Sequence, residues 1–283
     1  MNTSSGILDA LGMAALSNHW TTLLGSTVAC TFIMQLSQVF SPRFFPKTYP
    51  KLSTTRKMNW DVHVVSTVHS ILVVLLAAPA LQNETLLKDK VFGYEYSCAQ
   101  VFAVACGYFL WDTFFSILHI KEFGVGFVFH GICSFTVYIF SFRPFLQYYG
   151  NVFLMYEMST PFLNAHWFMD KMGMTGSLLQ LINGIILLTV FFFARIVFGF
   201  YMSYDTYLNV LPVSAQVPLH LMVIYSVANV VLNTLNIYWF FKMIESLVKR
   251  FQPSKGKDSQ GKKRVSGAQN GAIKAANKGS LAN

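Results

Sequence analysis

A chain of 283 residues with 54% hydrophobic and 12% charged side chains is not an ordinary soluble domain, which carries about twice that charged fraction. Its formal charge of +9 is mostly a tail: residues 254–283 hold seven Lys/Arg and one acid, and residues 1–253 hold fourteen and eleven. With no folded basic module beside that tail, nucleic acid is not expected as a partner, whereas an anionic cytosolic leaflet suits it.

In chain order, Arg43 is the first Lys or Arg, so a cleaved leader with a basic start is not expected. The run 7–16 is too short to span a bilayer and reads as a small interfacial helix. A span needs about 20 mostly apolar residues, and about seven stretches qualify. They are 20–40, 62–81, 97–118, 123–142, 146–168, 177–201 and 215–243. The predicted class is therefore all-α, a polytopic transmembrane helix bundle. Between the first two spans, Pro42, Pro46 and Pro50 interrupt any regular helix, so that loop is an extended connection. From Pro253 onward the chain is Lys, Gly, Ser, Ala, Asn and Gln; it cannot bury a core and reads as disordered. The layout is 1–49 (N-terminus, first span and start of the loop), 50–250 (bundle) and 251–283 (basic tail).

Loop charges give an orientation. The first, third and fifth loops and the C-terminal flank before the tail hold ten Lys/Arg; the even loops hold three, Lys88, Lys90 and Arg143. The positive-inside rule puts the first loop and the C-terminus in the cytosol and, with seven spans, the N-terminus in the lumen. Two glycosylation sequons, at Asn2 and Asn83, fall on the lumenal side.

Ionisable groups inside a bilayer are costly and tend to be functional. Four stand out on consecutive spans: His69, Asp112, His130 and Glu157. At 1.5 Å per residue they lie roughly 12, 9, 10 and 16 Å from the cytosolic ends of their spans. Same-face neighbours extend each one: Ser66 with His69, Ser116 and His119 with Asp112, Ser134 with His130, and Thr160 and Asn164 with Glu157. Polar faces on four helices predict a shared interior cavity in the cytosolic half. Single polar residues also act as glue between helices, worth about 0.6–2 kcal/mol each. Arg195 reads as a snorkelling or paired residue near the end of the sixth span, and Asn229, Asn233 and Asn236 as packing contacts. Cys30, Cys98, Cys106 and Cys133 lie in apolar runs as free thiols, with no metal or disulfide spacing.

The segments RKMNWDVHVVSTVHS (56–70), FHGICSF (129–135) and YEMSTPFLNAHWF (156–168) resemble the TLC domain family over roughly residues 50–250. That family holds ceramide synthases, translocating-chain-associated proteins and lipid-homeostasis proteins; the nearest resemblance is to its TLC domain-containing protein 4 subgroup. The resemblance implies an endoplasmic-reticulum helical bundle around a cavity that takes a lipid chain. Ceramide synthases carry two adjacent histidines on the span corresponding to the fourth and two acids three apart on the next. Here those positions read His130–Gly131 and Glu157 with Thr160, so two of the four depart.

Three readings stay open. The first is a protein that binds lipid or acyl chains and contributes to membrane lipid homeostasis, with His69, Asp112, Ser134, Thr160 and Asn164 on the cavity. The second is an acyltransferase with His130 as base or nucleophile and Glu157 orienting it, taking fatty acyl-CoA as substrate and no cofactor. The third is a trafficking or translocon-associated receptor. Lipid class and oligomeric state stay open.

Overall fold

The computed structural model describes residues 12–251, all in helices and their connections, with no strand among them. The sequon at Asn2, most of the 7–16 run and the tail from residue 252 lie outside those residues. Two compact units divide the chain, 1–243 and 244–283. The first is the helical bundle; the described part of the second, 244–251, is helical.

Helix α1 runs Trp20–Phe44, and α2 Thr54–Ala77 with a 3-10 extension Ala78–Gln82. Helix α3 is Tyr96–Leu118 and α4 is Val125–Phe140. Helices α5, Gln147–Leu154, and α6, Thr160–Lys171, are joined through a 3-10 segment, Met155–Ser159. Helices α7, Leu178–Phe191, and α8, Phe198–Val210, are joined through a π segment, Phe192–Val197. Helix α9 is Leu219–Phe251.

Five helical runs among the described residues are long and apolar enough to cross a membrane: Trp20–Phe44, Thr54–Gln82, Tyr96–Leu118, Leu178–Gln216 and Leu219–Val248. The other two predicted spans fold differently. The 123–142 stretch is the short helix α4; its 16 residues rise about 24 Å, less than the roughly 30 Å hydrocarbon core. The 146–168 stretch is helical but changes pitch midway, at Glu157. The sixth run is also longer than its predicted limits, extending to Gln216 rather than 201. Pro42 sits in the last turn of α1 and does not end it, because only residues beyond Phe44 leave the helix.

Side-chain registers fix how the helices run. Ser26 and Thr27 on α1 donate to the carbonyls of Val104 and Gly107 on α3, so these two are parallel. A Cβ at Gly107 would collide with the Leu23 carbonyl, so glycine permits this close approach. Ser37 and Ser41 meet Asp61 and Trp60, closing an antiparallel α1–α2 hairpin. Phe102 meets Tyr138, and Thr113 meets Gly131, so α3 and α4 are antiparallel. Asn164 on α6 donates to Ser66 and Thr67 on α2 at 3.1 and 3.0 Å. Ser177 caps α7 by accepting from the Gln180 amide N–H, while the Gln180 side chain accepts from Gly176 N–H, a near capping box. Along α9, Tyr225 meets Ser141, Asn236 meets Arg195 and Phe240 meets Phe191. Among the described residues, with α5–α6 and α7–α8 each taken as one pass, seven successive passes therefore alternate in direction.

At the end bearing the 45–53 connection, Asp61 is 1% exposed. It accepts from Ser37 at 2.6 Å and from Tyr49 at 3.0 Å, and Trp60 donates to Ser41 beside it. Burial, together with the carboxylate it donates to, raises the Tyr49 phenol above its ordinary value. At the opposite end, Lys90 pairs with Asp205 at 3.0 Å, and Asn83 caps the short helix Glu84–Lys88.

Candidate functional site

A cavity of about 90 Å³ lies between α4, α5 with its 3-10 segment, the π segment and α9. That holds roughly six waters, or a stretch of alkyl chain. Along α4 it reaches from His130 to Ser141, about 16 Å of helix rise, close to one leaflet of a bilayer. Phe109, Val137, Leu146, Phe153, Leu154 and Leu232 give it apolar walls. Leu146, the residue before α5, has φ 56°, a left-handed conformation rare for a bulky side chain, and its N–H reaches the Val91 carbonyl at 2.7 Å.

The wall is polar around Glu157 and again at its other end, where Ser141 meets the Tyr225 hydroxyl at 2.8 Å. Arg195 Nη2 faces Glu157 Oε1 at 3.6 Å, with both residues buried at 6% and 8% exposed. Thr160 donates to Glu157 Oε2 at 2.6 Å and accepts from Arg195 at 3.0 Å, so one hydroxyl bridges the pair. Arg195 Nε donates to the Tyr156 carbonyl at 3.0 Å and to Ser159 at 2.9 Å, and Nη1 to Asn236 Oδ1 at 3.4 Å. Both charged partners sit where the helix departs from α geometry, Glu157 in the 3-10 segment and Arg195 in the π segment. Such departures re-aim side chains and collect at functional sites. Tyr156 packs over Gly199, where a Cβ would overlap its hydroxyl.

The predicted site residues separate into three groups. His130, Ser134 and Glu157 line the cavity. His130 meets Phe109 and Trp239 edge-on, with centroids 6.1 and 5.6 Å away. Thr160 stands behind the wall, on the ion pair. Outside the wall, His69 stacks on Tyr108 at 3.7 Å, and Asn164 ties α6 to α2. Asp112, half-buried on α3, is also off the wall, so two of the four ionisable groups face the cavity. Arg195, expected to snorkel or pair, is paired with Glu157, and it lines the cavity together with the asparagines of α9, expected as packing contacts. Their signal was available: Asn229, Asn233 and Asn236 are spaced i, i+4 and i+7, one face of a helix.

Residues 59–245, about two thirds of the chain, match the family model of the TLC domain. An uncharacterized TLC domain-containing protein of Schizosaccharomyces pombe is 40% identical over 242 residues, covering 86% of this chain and 83% of its own. Topoisomerase I damage affected protein 4 of Saccharomyces cerevisiae is 31% identical over 203 residues, covering 70% and 72%. Human TLC domain-containing protein 4 is 29% identical over 238 residues, covering 80% and 90%. No solved structure matches the chain.

Proposed function

The chain belongs to the TLC domain family, and from that premise we propose that it is a multi-pass membrane protein that holds a lipid acyl chain in its interior cavity and so contributes to membrane lipid homeostasis. One observation carries the reading: a leaflet-length cavity with apolar walls ends in a compact polar group built from Glu157, Arg195, His130 and the asparagines of α9. Apolar walls with a few placed polar groups are the usual make-up of a small-ligand site. The proposal includes residence in the endoplasmic reticulum, a lumenal N-terminus, and a cytosolic tail against anionic lipid.

The test is co-purification. Native mass spectrometry of the detergent-solubilised protein should show one retained lipid. Ser134→Phe or Leu232→Phe, which place a ring in the cavity, should release it while leaving a monodisperse protein. An empty wild-type protein, or variants as loaded as wild type, would refute the reading.

Acyl transfer from fatty acyl-CoA is a second reading, favoured by the position of His130 on the cavity wall. In it, His130 takes the proton of an incoming hydroxyl or amine as that group attacks the thioester carbonyl. The carbon–sulfur bond then breaks, and the departing thiolate takes the proton back. Two features weigh against it. Glu157 is engaged by Arg195 and Thr160 rather than by the imidazole. Gly131 packs against Thr113, whose Oγ1 lies 2.5 Å from where a Cβ would stand, so this packing leaves no room for a second histidine there. Turnover of labelled acyl-CoA that disappears in His130→Ala would promote this reading over the first.

A further inference from the structure

The polar wall narrows what can sit at the end of the chain, an inference that rests on the chain-binding reading above. The fixed charges on the wall cancel, since Arg195 faces Glu157 and the guanidinium is otherwise directed to Tyr156, Ser159, Thr160 and Asn236. A guanidinium only donates, so Asn236 must turn its Oδ1 toward Arg195. That orientation leaves Asn236 Nδ2 buried with no partner, on a side chain 2% exposed. Three residues earlier, Asn233 gives its Nδ2 to Ser203 at 3.1 Å and to Asn229 at 3.0 Å, and its Oδ1 is also buried with no partner. Both side chains line the cavity. Two wall residues of α9, three positions apart, thus carry an unanswered donor and an unanswered acceptor, with no net charge beside them. Buried polar groups left unanswered are unfavourable, and a ligand that pairs with them gains accordingly.

We propose that Asn233 and Asn236 form a head-group site for an uncharged, hydrogen-bonding, single-chain lipid, an amide or an alcohol whose own donor and acceptor answer theirs. A phosphate or ionised carboxylate would lose its hydration beside a guanidinium already neutralised by Glu157. An ammonium would meet a carboxylate already held by Arg195 and Thr160. Among the wall residues, His130 apart, neither charge finds a free counter-ion, and burying an uncompensated charge is strongly unfavourable. The cavity's size and length suit one chain rather than two.

The experiment is competition on the purified full-length protein. A fluorescent fatty-acyl probe is displaced by lipids of one chain length that end in an amide, an alcohol, a carboxylate, a phosphate or an ammonium. Amide and alcohol should compete at least about 10-fold better than the three charged ends, and the difference between those two identifies the natural head group. Asn236→Leu and Asn233→Leu should each lower that preference about 3- to 10-fold, the worth of one hydrogen bond. Asn233 bonds to Ser203 and Asn229 and not to Arg195, so Asn233→Leu serves if Asn236→Leu fails to fold. A charged end that competes as well as the neutral ones, or a preference unchanged in the folded variants, overturns the head-group assignment alone. If the probe does not bind and no chain competes, the chain-binding reading fails and this inference with it.

Discussion

Asp61 and Glu157 are both carboxylates buried among helices, at 1% and 8% exposed, and their surroundings differ in kind. Asp61 is held by neutral donors, Ser37 and Tyr49, in a knot that joins α1, the following connection and α2. Glu157 faces a cation, Arg195, shares Thr160 with it, and opens onto a cavity. Asp61 itself sits in regular α-helix; the ion pair sits where two helices change pitch. A carboxylate held by neutral donors, away from that cavity's wall, has a packing role to play. A carboxylate with its own counter-ion, placed on a hollow, can present polar chemistry to a ligand without adding net charge.

The largest separation between the two regions should come from deleting one charge. Arg195→Met leaves Glu157 buried without its cation and should lower thermal stability in detergent by about 3–5 kcal/mol. The double variant Arg195→Met, Glu157→Gln should recover most of that. A single variant as stable as wild type would mean the pair is not buried as described. Asp61→Asn keeps an acceptor for Ser37 and Tyr49 and should cost about 1–2 kcal/mol, with lipid retention unchanged. Retention that falls in Asp61→Asn would erase the distinction between the two regions. Asn164→Leu removes cross-helix bonds away from the cavity and should cost about 0.6 kcal/mol.

The smallest effect is on pH. Because the folded Tyr49 phenol lies above its ordinary value, its contribution is full below the unfolded value of about 10 and fades as pH rises beyond it. The stability gap between wild type and Tyr49→Phe should therefore be constant from neutral pH to about 9 and shrink at higher pH. A gap that widens on the alkaline side would show the opposite sign.

Hydropathy made the all-helical class and the alternation of direction legible, because each apolar run of bilayer length has to be helical to satisfy its backbone. It did not reveal α4's shortness, since apolar residues continue through the turns on either side of it. His130, Ser134 and Glu157 stood out as polar positions in apolar runs. Arg195 did not. The sixth run extends to Gln216 rather than 201, so a residue read as near the span's end lies well inside it. His69 illustrates the opposite limit: its depth could be counted from sequence, but the stacking on Tyr108 that holds its ring outside the cavity wall depends on how α2 and α3 are rotated. Local spacing carries no information about that rotation.

Photolabelling tests the cavity most directly. A single-chain lipid with a diazirine at its chain end, cross-linked in native membranes and mapped by mass spectrometry, should label Val137, Leu146, Phe153, Leu154 or Leu232, and Ser134→Phe should suppress that labelling. Labels confined to lipid-facing residues such as Leu75, Phe114 or Val230, unaffected by Ser134→Phe, would contradict the account.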